Sequence, residues 1–453
     1  MTSTSGGPPS ERRAMGSRSR TFFTVWAGQL VSQVGTTMTG FALTIHVYLE
    51  SGSVTRLAMM LLAVNLPGIV LAPVAGVWTD RIDRRVVMLV ADSVAGVATL
   101  GLAALFFTDV LTYWHIVAMA AVSSAAGSFQ EPAYRAALPT LIPKNQLGRA
   151  NGLVDLAPAL GTLVAPALAG GLLLAVGIGA VLAIDFLTFT VAAVTLAWVR
   201  FPVLERNERG RASVRDEFMD GMAYLWDRRG LLGFLGIAAG VNLMLTFTNV
   251  LWVPVFLAIT NEAVLGTVMS LIGLTMVIGS LVMSAWGGPV RRMRGIMAFM
   301  ALGGLSLSVA GLRPSLGLTI AGALGLMAVV PIVNGTSQAL WQTKVPLELQ
   351  GRVFSTRRMI AQIATPVAFV SAGPLADRVF EPLLVEGGPL VGSLGRVFGT
   401  GPGRGSALLV TLAGLAVVGL AGLGWMVPKI RNVEVDIPDA ISDLAGTDDG
   451  GES

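Results

Sequence analysis

Long apolar stretches alternate with short polar ones along most of the 453 residues. Twelve of these stretches run for roughly 20–28 residues with few charged side chains, which is the length that crosses the hydrocarbon core of a bilayer as a helix. The predicted spans are 22–49, 57–79, 86–107, 112–134, 147–175, 178–200, 231–258, 263–286, 295–312, 316–340, 353–379 and 405–427. The pattern therefore predicts an all-α membrane protein with twelve transmembrane helices.

The composition agrees with this pattern and narrows the chemistry. Charged residues make up 13% of the chain, against about a quarter in soluble domains, and the mean hydropathy is +0.72. There is no Cys, which excludes disulfides, thiolate metal sites and Cys nucleophiles. With His46 and His115 as the only histidines, we expect no metal site and no cofactor. No nucleotide-binding loop or Ser-His-Asp set is visible, so we do not expect an enzyme.

The placement of the positive charges predicts the orientation. If the N-terminus is inside, 26 of the 31 Lys and Arg residues fall in the cytoplasmic segments. By the positive-inside rule, both termini of this multi-pass plasma-membrane protein are expected in the cytoplasm. The net charge of +4 could suggest an anionic partner, but the basic residues sit at alternate helix ends, so we expect no nucleic-acid partner. The expected surroundings of the apolar spans are the lipid bilayer.

An internal repeat divides the predicted spans into two halves. Three dipeptides and their counterparts share an offset of 203 residues: Ile142-Pro143 and Val345-Pro346, Gly148-Arg149 and Gly351-Arg352, Ala169-Gly170 and Ala372-Gly373. Such an offset indicates two six-helix pseudo-symmetric halves. The predicted organisation is a disordered cytoplasmic tail (1–20), an N-terminal half (21–200), a cytoplasmic linker with an amphipathic helix (201–229), a C-terminal half (230–428) and a cytoplasmic tail (429–453).

The most charged short loop lies between spans two and three. Its sequence, GVWTDRIDRR over 76–85, resembles the loop signature G-x-x-x-D-R-x-G-R-R of the major facilitator superfamily, with Asp83 at a glycine position. The resemblance implies the major facilitator fold and a gating role for Gly76, Asp80, Arg81, Asp83, Arg84 and Arg85. Asp80 and Arg84 are four residues apart and can pair if the turn is helical. The alternative is a basic loop that only sets topology.

Further motifs resemble the drug/proton antiporter branch of that superfamily. Gly161, Pro166, Gly170 and Gly171 lie in GTLVAPALAGG (161–171), which resembles the antiporter signature G-x-x-x-G-P-x-x-G-G with Ala at two glycine positions. Small residues at this spacing also serve ordinary close helix packing. The strings WAGQLVSQVG (26–35), LPTLIP (138–143), RANG (149–152) and IDF (184–186) resemble macrolide-efflux and enterobactin-exporter-like proteins.

Four carboxylates inside the predicted spans are candidates for proton coupling, because ionisable groups in a membrane default to functional candidates. Asp155 is the preferred one, since it lies about two turns into span five beside the expected cavity, where partial desolvation would let it take up and release a proton. Asp92 and Asp185 lie in spans three and six, which are peripheral in this architecture, so hydrogen bonding to neighbouring helices is their alternative role. Glu131 is four residues from Arg135, which predicts a local ion pair.

The architecture places spans one, four, seven and ten around a central cavity. The candidate substrate-contacting residues in these spans are Gln29, Gln33, Thr36, Asn242, Thr246, Asn249, Asn334 and Gln338. Amides and hydroxyls without a dense charge cluster suit a bulky amphipathic molecule. For each single residue, interhelical hydrogen bonding is the alternative.

Together the residues and the resemblance predict a secondary transporter that works by alternating access and exports small amphipathic molecules in exchange for protons. Its expected partners are a small-molecule substrate, protons and lipid, and the resemblance implies a monomer. An importer (a proton symporter) of the same fold and a non-transporting sensor remain the alternatives.

Overall fold

The structure, a computed structural model, describes residues 9–142, 146–199 and 214–440. Within these ranges the chain is almost entirely helical and contains no strand. The first six long helices are α1 (Pro9–Ser51), α2 (Val54–Arg81), α3 (Arg84–Phe107), α4 (Tyr113–Leu141), α5 (Leu147–Ala175) and α6 (Ile178–Trp198). Each corresponds to one predicted span.

The second part of the chain begins with a shorter helix and continues with six long ones. These are α7 (Val214–Asp227), α8 (Arg229–Leu257), α9 (Glu262–Trp286), α10 (Arg292–Gly311), α11 (Leu316–Lys344), α12 (Leu347–Leu375) and α15 (Arg404–Met426). Between α12 and α15 lie a π-helical segment (Ala376–Phe380) and two four-residue helices, α13 (Glu381–Leu384) and α14 (Gly395–Phe398). Two further four-residue helices, α16 (Pro428–Arg431) and α17 (Val433–Asp436), follow α15. Helix α7 occupies the stretch where the amphipathic helix is predicted.

Helix α1 differs from its prediction at its start. The backbone is helical from Pro9, well before the predicted boundary at residue 22 and inside the stretch expected to be a disordered tail. Nothing in the apolar pattern marks this start, because residues 9–20 are polar and Arg-rich. Residues 1–8 lie outside the described part of the chain.

Ten of the described long helices are long and apolar enough to cross a membrane by length and composition. Helices α1 and α4 are not among the ten, because polar residues interrupt their apolar sequence. Such residues include Gln29 and Gln33 in α1 and Ser123, Ser124 and Gln130 in α4. Polar side chains are costly in lipid, so they are expected to face the interior of the helix bundle.

The chain forms two compact units. Unit 1 comprises Met1–Glu208 with Thr260–Gly273, and unit 2 comprises Arg209–Ile259 with Leu274–Ser453. In unit 1, α1 packs against α5 and α6, α3 packs against α4 and α6, and α2 packs against α4. In unit 2, α10 packs against α11 and α15, and α8 packs against α12 and α15. Helix α7 lies against α12.

The C-terminal segment packs onto unit 2. The Glu434 carboxylate accepts hydrogen bonds from the backbone N–H groups of Arg292 (3.1 Å) and Met293 (3.4 Å), so it caps the start of α10. The buried Lys344 ammonium donates to the Glu434 carbonyl at 2.7 Å and pairs with Asp439 at 2.7 Å. These contacts hold residues 428–440 against the ends of α10 and α11, although composition predicts only a polar tail there.

Glycines allow helix backbones to approach closely in both units. In unit 1, a Cβ at Gly170 of α5 would lie 2.5 Å from the carbonyl oxygen of Glu262 and 3.2 Å from the Gly266 Cα, both in the Thr260–Gly273 part of the unit. In unit 2, a Cβ at Gly414 of α15 would lie 2.6 Å from the carbonyl oxygen of Gly304 in α10. In lipid, this backbone-to-backbone packing replaces the hydrophobic drive that joins helices in water.

The two neighbouring glycines of α5 provide a matched test of this packing. We expect Gly170→Ala to lower the free energy of unfolding of the purified protein by about 1–3 kcal/mol, and its unfolding midpoint with it. The reason is that the added methyl group meets backbone atoms that cannot yield easily. Gly171→Ala is the control, since a Cβ there meets nothing within 4 Å. Thermal unfolding in detergent measures both variants. Equal midpoints for the two would contradict the packing at Gly170.

Candidate functional site

A cavity of about 300 Å³ lies inside unit 1 among α1, α2, α3, α4 and α6. Its polar wall is formed by amides, hydroxyls and two carboxylates: Gln29, Ser32, Gln33, Thr36, Thr39, Asp92, Thr99, Ser123, Ser124, Gln130 and Asp185. Apolar side chains, among them Leu43, Met60 and Phe189, complete it. The predicted site residues Gln29, Gln33 and Thr36 therefore share one cavity with two of the predicted acids.

Asp92 is the final acceptor of a hydrogen-bonded chain that joins three helices. Its side chain is buried, and its Oδ2 accepts a hydrogen bond from the Gln29 amide at 2.7 Å. The Gln29 carbonyl oxygen in turn accepts from the Gln130 amide of α4. The chain fixes the orientation of both amides, because each amide nitrogen donates to a defined acceptor oxygen. Asp92 thus bonds to neighbouring helices, as the alternative reading of the sequence predicts, and it also faces the cavity.

Asp185 is the more deeply buried acid, with 1% of the residue exposed. The Thr99 hydroxyl of α3 lies 3.3 Å from its Oδ2, and the Thr188 hydroxyl lies 3.5 Å from its Oδ1. Helix α1 passes close to this carboxylate at Gly35, where a Cβ would lie 2.8 Å from Oδ1. The glycine is therefore required for α1 and α6 to pack with Asp185 between them.

Arg135 links the other two predicted acids. Its guanidinium contacts Glu131 of α4 at 3.0 Å and Asp155 of α5 at 2.9 Å. The predicted Glu131–Arg135 pair is present. Asp155 was expected to be partly desolvated, but 62% of its side chain is exposed, because it points to the Arg135 head group at the surface of unit 1. Neither acid lines the cavity described above.

The loop between α2 and α3 is described for some of the predicted gating residues. The surroundings of Gly76 and the side chains of Asp80 and Arg81 lie outside the described part of the structure, so the Asp80–Arg84 pair stays a prediction. Asp83 caps α3 by accepting the Arg85 backbone N–H at 2.8 Å. A glycine at this position would have no side chain to cap α3 in this way.

The two arginines of this loop bind backbone carbonyls of neighbouring helices. Arg84 donates to the Ala136 carbonyl of α4 at 2.7 Å, and Arg85 donates to the Leu196 carbonyl of α6 at 2.8 Å. Leu196 lies in the last turn of α6, so Arg85 stabilises a helix C-terminus, where orphan carbonyls and the helix dipole favour cations. Arg84 joins the start of α3 to α4.

The span-five motif lies on the packed faces of α5. A Cβ at Gly161 would lie 3.0 Å from the Thr37 hydroxyl of α1, and Pro166 is inside the helix. Gly170 faces the Thr260–Gly273 segment, whereas Gly171 faces open space. Three of the four predicted residues thus lie where the helix packs or bends.

The remaining predicted cavity residues belong to unit 2. The Asn242 amide donates to the Ala361 carbonyl at 2.9 Å, and the Thr246 hydroxyl donates to the Asn242 carbonyl at 2.8 Å. Asn249 and Asn334 are exposed. Gln338 accepts from the Arg357 guanidinium at 3.1 Å.

Sequence reasoning missed two residues of these sites. Gln130 was overlooked, although a second amide next to Glu131 in an apolar span is a signal that could have found it. Arg357 was counted only as a topology-setting charge, yet it lies inside α12 with its guanidinium 5.4 Å from the centre of the Trp341 ring. Its spacing from the helix start could have indicated an inward-facing position.

The chain resembles known proteins over most of its length. Residues 25–369 match the Major Facilitator Superfamily. Macrolide efflux protein A of Streptococcus pyogenes is 30% identical over 373 residues, which cover 79% of this chain and 90% of that protein. Multidrug efflux pump Tap of Mycolicibacterium fortuitum is 29% identical over 355 residues, covering 72% of this chain and 82% of the pump.

Solved structures share the fold. A bacterial homologue of the human lysosomal transporter Spinster, in an inward-facing and unoccupied conformation, superposes with a TM-score of 0.67 at 12% identity, covering 95% of this chain and 99% of that one. A D-xylose–proton symporter gives a TM-score of 0.60 at 14% identity, with 88% and 96% covered. The fold, the membrane-compatible helices and the extent of the family match lead to one conclusion: this chain is a multi-pass transporter of small molecules that belongs to the Major Facilitator Superfamily.

Proposed function

We propose that this transporter exports small amphipathic molecules across the bacterial plasma membrane by alternating access, in exchange for protons. The observation that carries the proposal is the similarity to macrolide and multidrug efflux proteins over 72–79% of the chain. The substrate class is a drug, a macrolide, or a siderophore or other natural product. Both chain termini are placed in the cytoplasm, as the distribution of Lys and Arg favours.

The cavity in unit 1 supports an amphipathic substrate. Its described lining combines amides and hydroxyls with apolar side chains and includes no Lys or Arg. A phosphorylated or polyanionic molecule would find no cation there and would face two carboxylates. An amphipathic molecule can instead bury apolar surface and exchange a few hydrogen bonds, which suits binding sites of this composition.

The Arg135 cluster supports a role in proton coupling. One guanidinium is shared by two carboxylates, Glu131 and Asp155, so the cluster carries one net negative charge. A proton bound to Asp155 would neutralise the cluster and weaken its contact with Arg135. Because that contact joins α4 to α5, its loss would change how the two helices are held, as a coupling step requires.

An importer of the same fold is the nearest rival. The structural neighbours include a D-xylose–proton symporter, and a likeness at 14% identity carries the fold and no direction of transport. Direction therefore rests on the efflux relatives and on the span-five motif.

Transport by inverted membrane vesicles tests direction and coupling together. With an imposed inside-acid gradient, we expect a macrolide, a lipophilic dye or a siderophore to accumulate in the vesicles, and a protonophore to abolish the accumulation. Asp155→Asn should lower gradient-driven uptake by about tenfold or more, while gradient-independent counterflow of the same substrate persists because the fold is intact.

The control is Asp109→Asn, which makes the same chemical change in an exposed turn whose positive φ of 56° suits Asn. It should transport normally. Unchanged gradient-driven uptake by Asp155→Asn would place the proton site elsewhere. Uptake of the panel only in right-side-out vesicles under an outside-acid gradient would refute export.

The loop between α2 and α3 supports a second test. We expect Asp80→Asn to lose nearly all transport while the protein remains abundant in the membrane, because the proposed gate depends on the Asp80 charge. Asp109→Asn is the matched control and should transport, since it makes the same chemical change in an exposed turn outside the proposed gate. Transport assays normalised to protein amount by immunoblot measure both, and normal export by Asp80→Asn would remove Asp80 from the gate.

A further inference from the structure

The Asp185 carboxylate is buried without a described counter-charge. It lies at 1% exposure in the middle of unit 1, and no described Lys, Arg or His pairs with it. An ionised carboxylate in such a place is neutralised by a proton or a cation, because neither lipid nor the apolar interior solvates its charge.

The neighbouring hydroxyls do not supply full compensation. The Thr188 hydroxyl donates its proton to the backbone carbonyl of Asp185 at 2.7 Å. The same hydroxyl lies 3.5 Å from the carboxylate Oδ1, so its single proton gives that oxygen only a weak, shared hydrogen bond. The carboxylate therefore receives little compensation from Thr188.

A third hydroxyl lies beside this carboxylate without making a hydrogen bond of good geometry among the described residues. Thr39 of α1 lines the cavity, is 7% exposed and lies next to Asp185. Its Oγ1 nevertheless has no partner of good geometry among the described residues. A buried, unpaired hydroxyl costs free energy, so a ligand that it could coordinate would be favourable.

The oxygen spacing matches coordination of a small cation better than direct hydrogen bonding. The Thr99–Oδ2 and Thr188–Oδ1 separations are 3.3 and 3.5 Å. Hydroxyl–carboxylate hydrogen bonds are shorter, about 2.5–3.0 Å. Two oxygens that bind one ion at right angles with bonds of about 2.4 Å lie about 3.4 Å apart.

We propose that Asp185, with the hydroxyls of Thr39, Thr99 and Thr188, forms a binding site for a sodium ion. All four supply hard oxygen ligands, which suit hard cations. A single carboxylate balances a single charge, and the described residues contain no group of three His, Cys, Asp or Glu side chains that would favour a divalent metal. Potassium needs longer bonds and therefore wider spacing.

The site is open to the cavity, and its ligands come from three different helices. Asp185, Thr39 and Thr99 line the cavity, so an ion can reach them from there. The ligands come from α1, α3 and α6, so binding would tie together three helices of unit 1. The inference does not depend on the proposed export function, and a binding assay tests it without any transported substrate.

Sodium binding to the purified full-length protein in detergent is the test. Sodium chloride would replace choline chloride at constant ionic strength, and both binding of radioactive Na⁺ and the thermal unfolding midpoint would be followed. We expect saturable binding and a rise in midpoint with Na⁺ that K⁺ does not reproduce. Equal effects of Na⁺, K⁺ and choline would overturn the proposal, as would a protein stabilised by acid and indifferent to Na⁺.

Variants separate the ligands from the fold. Asp185→Asn should abolish the Na⁺ response, whereas Asp109→Asn in the exposed turn should keep it. Thr39→Val serves as a second variant that removes one oxygen with little change in shape, so the test does not depend on Asp185→Asn folding normally. We expect Thr39→Val to weaken Na⁺ affinity by about tenfold and Thr39→Ser, which keeps the oxygen, to bind like the native protein. Unchanged affinity in Thr39→Val would refute its role as a ligand and, with it, the site.

Discussion

Polar groups inside a membrane bundle have to find their partners within the protein, because lipid offers none. This constraint determines the construction of unit 1. Gln29, Gln130 and Asp92 satisfy one another across three helices, and Asp185 is surrounded by hydroxyls from three helices. Helices α1 and α4 are not among the ten that are apolar enough by composition to cross a membrane. The contacts explain why these two helices are positioned around a polar cavity. The cavity that would receive a substrate is therefore also what holds the helices in register.

Close backbone packing is the second requirement, and it places the polar groups. Gly35 brings α1 against α6 so that the Asp185 carboxylate lies between them, and Gly161 brings α5 against Thr37 of α1. A Cβ at residue 35 would collide with the Thr188 and Asp185 side chains and disturb the hydrogen bonds there, whereas at residue 161 the Thr37 side chain would have to yield only slightly. Glycine placement and the polar network thus depend on each other, although they are far apart in the sequence.

The helices could be predicted from the sequence because bilayer thickness fixes the length of an apolar run. The boundaries of α3, α5 and α6 lie within a few residues of their predicted positions. Contacts between distant residues could not be predicted in this way. Nothing in the apolar pattern indicates that Asp92 bonds to Gln29, or that Lys344 is buried against residues 434–439, since both depend on how helices rotate about their axes.

The acids illustrate the same limit. All four were recognised as candidates from their presence in apolar spans, but their depth could not be read from the sequence. Asp155 was expected to be the desolvated one, yet its side chain is 62% exposed, while Asp185 is 1% exposed. A span shows only that a carboxylate is near lipid. Whether it faces an arginine at the surface, as Asp155 does, or three hydroxyls in the interior, as Asp185 does, is decided by the neighbouring helices.

This difference in depth argues for two separate roles. Asp155 lies in an exposed ion pair with Arg135, and such pairs are weak and easily broken, so it suits a step that occurs in every transport cycle. Asp185 is buried among hydroxyls, which can hold a ligand by several oxygens at once. If sodium occupies the Asp185 site, it is a fixed charge in the α1–α3–α6 packing, and the proposed proton-binding group remains Asp155 beside Arg135. Coupling and structural neutralisation can then be altered independently, because no described hydrogen bond or ion pair joins the two groups of residues.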